Sequence, residues 1–289
     1  MPGPGPLLVV DGPFVLYRSF FALPDSIKGA EDRPVNALLG AANVLLRVAA
    51  DREPRAIAVC FGAEAAAYRV EAFPAYHADR PPVPDALGWQ FKQAPEFFEA
   101  FGWYAVGSDD VEADDLLGSF ASVERGGGGE TLILTGDRDM YQCVGDGVRV
   151  LYLKSGLSGF EEVDPAEVER RYGIGPSLVP DFIALRGDPS DGLPGASGIG
   201  PKTAAELLRK HGSLEAILDN AIREQRPKLR AALIEGREDL LVFKDIATLR
   251  DAGVKPPPDR PTDWDGAAKA ALERGMRKLA ERLIETGRK

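Results

Sequence analysis

At 289 residues and 31.1 kDa the chain is long enough to bury a full core, as one large domain or two intimate ones. Its two cysteines, Cys60 and Cys143, exclude a disulfide framework and point to a reducing cytoplasm, where both read as inert core thiols. The net charge of −10 would weigh against a polyanionic partner, but residues 1–150 carry all of it, with 12 Lys+Arg against 22 Asp+Glu, and residues 151–289 balance at 23 of each.

The opening MPGPGPLLVVDG has neither the basic start nor the long apolar core of a secretory signal, and no apolar run approaches the ~20 residues that span a bilayer. Leu7 to Val10, Ala56 to Phe61 and Thr131 to Leu134 are short apolar runs closed by turn residues, which predicts buried strands. Helical patterns over Val35 to Ala50 and Ala113 to Val123 alternate with them. Such alternation predicts an α/β fold, a parallel sheet flanked by helices, with functional groups at the carboxyl ends of the strands. Residues 73–95 are rich in proline, aromatic and polar residues and read as an exposed excursion, while Gly126 to Gly129 read as a flexible link. From about residue 176 the pattern turns helical, dividing the chain into an α/β part (1–175) and a helical part (176–289). Pro256 to Pro261 read as a rigid spacer before one last amphipathic helix, Gly266 to Thr286.

Short acidic motifs punctuate this pattern. Asp11 follows the first strand, Glu112-Ala-Asp114-Asp115 opens a helix, Asp137-Arg-Asp139 follows the third apolar run, and Asp188 and Asp191 flank a loop. Each has an ordinary explanation alone, as a helix-dipole partner or a turn former. Several of them gathered at one sheet edge repel unless a cation neutralises them. Oxygen ligands without nearby Cys or His suit Mg²⁺ or Mn²⁺. Two such ions about 4 Å apart can clamp a phosphate and activate water.

Leu193 to Lys202, LPGASGIGPK, leads into an apolar-periodic helix. Gly198-Ile-Gly200 predicts a tight turn whose amides face an anion at a helix start, with Lys202 beside it. Such a helix–hairpin–helix holds a DNA backbone without reading sequence, although an ordinary αα-hairpin has the same outline.

The blocks VVDG, VEADD, TGDRD, GDPSDGLPGASGIGPKTA and KDIATLR stand in the order and spacing of the 5′-nuclease family, and the chain resembles that family over nearly its whole length. The family comprises the amino-terminal nuclease domain of bacterial DNA polymerase I, phage 5′-nucleases and flap endonucleases. With no polymerase segment in the sequence, the resemblance implies a stand-alone form. It implies a PIN-like α/β domain, a helical arch at about residues 70–100, and a helix–three-turn–helix that holds duplex DNA and binds K⁺ through backbone carbonyls. Asp11, Glu112 and Asp114 would serve a first metal; Asp115, Asp137, Asp139, Asp188 and Asp191 would serve a second. Arg69, His77 and Arg80 fall in the arch facing the scissile strand. Tyr17, Arg18, Gly198, Gly200, Lys202 and Thr203 fall where DNA contacts are expected. The activity implied is metal-dependent hydrolysis of branched or 5′-ended DNA, by a monomer, during replication and repair.

Two positions depart from the family's pattern. Phe61-Gly62 stands where the family has Phe-Asp, and Glu64, or an extra water, is the expected partial substitute for the missing ligand. His77 stands where the family has Lys, and a histidine offers a phosphate a charge only when protonated. These departures keep open a catalytically weakened, structure-specific DNA-binding protein, although eight of the nine acidic positions remain. A nuclease acting on RNA is a further reading, less compatible with a duplex-holding hairpin.

Overall fold

Leu7 to Val10 have no exposed surface, as befits a strand with neighbours on both edges and helices on both faces. In the computed structural model, which describes residues 5–154, 157 and 159–288, they form β1 (Leu7–Asp11). The other strands are β2 (Ala56–Phe61), β3 (Tyr104–Gly107), β4 (Thr131–Thr135), β5 (Val148–Leu153) and β6 (Phe160–Val163). They make one sheet of order β3-β2-β1-β4-β5-β6, parallel throughout except for β5 against β6. The chain builds outward from β1 to β3 on one side, then crosses to β4 on the other. The carboxyl ends of β1 and β4 therefore flank a topological switch point, where a crevice opens in folds of this kind.

Side chains alternate across the sheet. Leu8 and Val10 face a core built from α1 (Gly12–Ala22), α2 (Asn36–Arg52) and three later helices. Leu7 and Val9 face α5 (Ala113–Gly126) and the helical part of the chain. Between these come α3 (Ala67–Ala72) and α4 (Asp85–Glu99). After β6 comes α6 (Pro165–Tyr172), and the helical part follows with α7 (Val179–Arg186), α8 (Pro201–His211), α9 (Leu214–Asp219), α10 (Pro227–Glu235) and α11 (Arg237–Ala247). Buried Asp181 pins three of its helices, accepting from the Leu214 amide at 2.6 Å and from Lys244 Nζ at 2.9 Å.

One expectation changes. The last helix is two, α12 (Trp264–Glu273) and α13 (Arg277–Gly287), broken where Gly275 takes a φ of +76° against Gly29 and Ala30. Both pack on the α1, α2 and α4 side of the sheet through residues such as Ala267, Leu279 and Leu283. Of residues 70–100, expected as an arch, residues 85–99 form α4. One face of α4 is core, with Leu87, Ala94 and Phe97 fully buried, and Gln90 Oε1 accepts the Ala37 and Leu38 amides at 2.8 and 3.2 Å, capping α2. What stands over the switch point is α3 and the crossover of residues 73–84.

Candidate metal centre

The ends of the two central strands are tied through one hydroxyl. Asp11 Oδ2 accepts the Thr135 hydroxyl at 2.7 Å, and Thr135 Oγ1 accepts the Asp137 amide at 3.0 Å. Asp11 Oδ1 meanwhile caps α1 through the Phe14 amide at 3.0 Å, and Asp137 Oδ1 accepts the Asp139 amide at 2.8 Å. Asp114 comes in from the first turn of α5. Asp188 and Asp191 come from a loop closed by reciprocal 2.8 Å hydrogen bonds between the backbones of Asp188 and Leu193. Asp11, Glu112, Asp114, Asp137, Asp139, Asp188 and Asp191 all line one cavity of about 1220 Å³ at the switch point.

Loss of hydration raises the pKa of Asp11, Asp114, Asp137 and Asp139, and the neighbouring carboxylates raise the last three further; Asp137 is pushed up to about 6. Oxygen donors that resist ionising together fit a hard divalent cation, which removes the repulsion by binding. Among the described residues no three acidic, histidine or cysteine side chains converge on one point. The reason is visible in their partners: Asp188 turns to Arg186 Nη2 at 2.9 Å, and Glu112 accepts from the Ala66 amide at 2.8 Å and the Tyr76 hydroxyl at 3.0 Å. A donor set spread around a cavity suits small ions that retain part of their water.

Several predicted residues have other partners. Asp115 lies off the cavity and is wholly buried: it accepts from the Tyr68 hydroxyl (2.9 Å), the Arg250 amide (2.8 Å), the Glu112 amide (3.1 Å) and Arg69 Nη2 (3.2 Å). It is a strut for the start of α5, with no lone pair left over for an ion. Arg69, predicted to face DNA, is 3% exposed and paired with Glu112 and Asp115. Two buried carboxylates demand a cation, and Arg69 is it. His77, predicted to face a phosphate, turns its ring towards Asp191 Oδ1 (3.0 Å) and the Glu64 carbonyl (3.2 Å). Arg80 is exposed at the cavity wall, near enough to lower the pKa of Asp11.

Gly62 is not an open position. A Cβ there would meet the Ala113 nitrogen at 2.2 Å and the Glu112 carbonyl carbon at 2.3 Å, because the loop after β2 is bonded to the α5 approach through Ala63 N and Val111 O (2.9 Å). Glu64 is exposed on the same cavity wall. Tyr17 lines the cavity and is 45% exposed, whereas Arg18 does not line it and lies over the ring of Phe14, which does. Gly198 (φ +75°) and Gly200, the residue before α8, are exposed, with Lys202 exposed and Thr203 half-buried in the first turn. First-turn amides have no acceptor within their own helix, so this end can receive a phosphate. Residue types alone missed Thr135, Tyr76 and Arg186, which hold the acidic groups; Thr135 and Arg186 each stand two residues before an acidic motif, at Asp137 and Asp188, whereas Tyr76 is distant in sequence from the Glu112 it holds.

The family profile described as 5′-3′ exonuclease, N-terminal resolvase-like domain, matches residues 6–173, and that for 5′-3′ exonuclease, C-terminal SAM fold, matches residues 174–259. DNA polymerase I of Mycobacterium tuberculosis is 34% identical over 97% of this chain, which spans only 32% of that relative's length. A 5′-3′ exonuclease of Streptomyces coelicolor is 35% identical over 96% of this chain and 99% of its own. In fold, the chain is similar to the T5 flap endonuclease in a pseudo-enzyme-product complex with DNA and metal ions: TM-score 0.70 at 19% identity, covering 98% of this chain and 99% of the other. With both profiles matched in order across the sheet and the helical part, the chain belongs to the 5′-3′ exonuclease family.

Proposed function

We propose that the protein is a divalent-metal-dependent 5′-nuclease that hydrolyses phosphodiester bonds in branched or 5′-ended DNA, with both exonuclease and flap endonuclease action. The observation that carries this reading is the single cavity at the β1/β4 switch point lined by carboxylates from separate segments of the chain. Asp11, Asp114, Asp137, Asp139, Asp188 and Asp191 would hold Mg²⁺ or Mn²⁺, with Glu112 reaching the same space once its partners yield. Bound there, such ions polarise a phosphate oxygen and lower the pKa of an attacking water. The protein's own part is placement. Arg80 offers a fixed positive charge to the scissile phosphate, and Tyr17 an aromatic face to an unpaired base beside Arg18. The Gly198–Thr203 turn, with Lys202 and a K⁺ on its carbonyls, grips the duplex backbone away from the reacting bond. A monomer working on DNA in the cytoplasm, in replication and repair, fits this arrangement.

Gly62 and the inward-turned His77 favour one competing reading, a DNA-binding protein with a weakened centre. Cleavage of a 5′-labelled flap substrate in Mg²⁺, Mn²⁺ or EDTA, beside an Asp137→Ala variant, separates the two. Metal-dependent cutting near the junction that is lost with Asp137 is the expected result. Tight flap binding without cutting in either metal would replace the nuclease reading with the binding one.

A further inference from the structure

We propose that His77 is a positioning residue: it locks the loop bearing Asp191 to the crossover above the cavity, and so holds Asp191 ready for a metal ion. Four observations meet at this side chain. Its ring nitrogens contact Asp191 Oδ1 at 3.0 Å and the Glu64 carbonyl oxygen at 3.2 Å. Its amide donates to the Asp191 carbonyl at 3.2 Å, so side chain and backbone grip the same residue. Its ring stacks on Tyr76 with centroids 3.9 Å apart and planes at 21°, and the Tyr76 hydroxyl donates to Glu112. Its φ is +56°, a left-handed conformation that costs an L side chain free energy and persists where the surroundings fix it.

The other side of the contact is equally close. Gly192, at φ +77°, passes so near the crossover that a Cβ would stand 2.8 Å from the Ala75 carbonyl oxygen. His77 therefore joins three segments: the loop after β2 through Glu64, the loop after α7 through Asp191, and the Tyr76–Glu112 pair at the start of α5. With a side chain only 6% exposed, it is placed to act on the carboxylate rather than on a phosphate in the cavity. A lysine here would bring a flexible stem and no flat face to lie on Tyr76. A partner that fixes a ligand's orientation before the ion arrives raises affinity without touching the ion.

This inference rests on Asp191 being a metal ligand, and the test separates the two claims. Mn²⁺ dissociation constants are measured by titration calorimetry for the unaltered chain and for H77F, H77Q, D191N and H77F/D191N, with flap-DNA affinity in EDTA measured alongside. H77F keeps the stack on Tyr76 and removes both ring nitrogens, which guards against simple unfolding. The expected result is Mn²⁺ binding about 10-fold weaker in H77F, recovered in large part by H77Q, with no added loss when H77F is placed on D191N and no change in DNA affinity. Unchanged Mn²⁺ affinity in H77F beside a weakened D191N would overturn the positioning role alone. A full H77F effect persisting on D191N would do the same. Unchanged affinity in D191N would remove Asp191 as a ligand, and the positioning role with it.

Discussion

A Cβ built on Gly62 would stand 2.2 Å from the Ala113 nitrogen, and both that atom and its neighbours are backbone, which cannot swing aside. The aspartate that the family pattern places here therefore has no room in this chain. Gly62→Asp is expected to push the start of α5 outward, carrying Glu112 and Asp114 with it. The stability cost should be about 1–3 kcal/mol, as for other overpacked sites, with slower rather than faster cleavage. Urea denaturation and single-turnover cleavage check both halves, and a faster variant would show that the loop relaxes. Asp137 permits a second prediction. Burial, with the neighbouring carboxylates, pushes its carboxyl up to about 6 from the ordinary 3.8, so the folded, metal-free protein holds this proton to higher pH than the unfolded chain. That stabilisation is complete below about 4 and is lost as pH rises through 6, a change of about 3 kcal/mol at ~1.36 kcal/mol per pKa unit. Melting temperatures in EDTA should fall between pH 4.5 and 7 and flatten in Asp137→Asn, while saturating Mn²⁺ should abolish the fall. A flat profile in the unaltered chain would remove the electrostatic tension attributed to the cavity.

The start of α5 is held by α3. Arg69 sits between Glu112 and Asp115 with almost no access to solvent, and Tyr68 and Tyr76 on either side bond to the same carboxylates. Removing one member of a buried charge group strands the others, at about 3–5 kcal/mol. Arg69→Met should show a loss of that size in chemical denaturation, whatever the DNA present. Arg80, eight residues beyond the end of α3 at Ala72, is exposed, so Arg80→Met should leave stability within about 0.5 kcal/mol while slowing cleavage. If both variants behaved alike, the distinction between strut and substrate contact would fail. At this scale the sequence was informative about some elements only. The strands of Leu7–Asp11, Ala56–Phe61 and Thr131–Thr135 stood out as unbroken apolar runs, because central strands are buried on both faces. Tyr104–Gly107 is an edge strand of four half-buried or exposed residues and carries no such signal. The carboxylates were legible as motifs, but Asp114 and Asp115 are adjacent letters with opposite fates. The helix turns one towards the cavity and the other into Arg69.

Across the whole molecule, the last two helices complete the core on one face of the sheet. The strap before them is fastened by buried Arg55, which bonds Glu124 at 2.6 and 2.9 Å, the Pro257 carbonyl at 2.8 Å and Asp259 at 2.9 Å. Trp103 Nε1 adds a bond to Thr262 at 3.1 Å. A chain ended at residue 259, where the second family profile ends, would uncover the core faces of α2 and α4 and lose the burial of Met276, Leu279 and Leu283. At roughly 1.5–3 kcal/mol for each buried side chain, that should cost about 5 kcal/mol or more, read as a large drop in melting temperature or as insoluble product. A truncated chain as stable as the full one would mean these helices add nothing to the core. The sequence by itself determined the strand–helix alternation, the acidic motifs after the strands and the glycine turn before α8, because each is set by local spacing and residue type. Only the tertiary structure decided that Asp115 and Arg69 are struts, that His77 grips Asp191, and that Gly62 is walled in by α5. Those roles depend on which buried charge meets which partner across the sheet edge, and no local pattern records that.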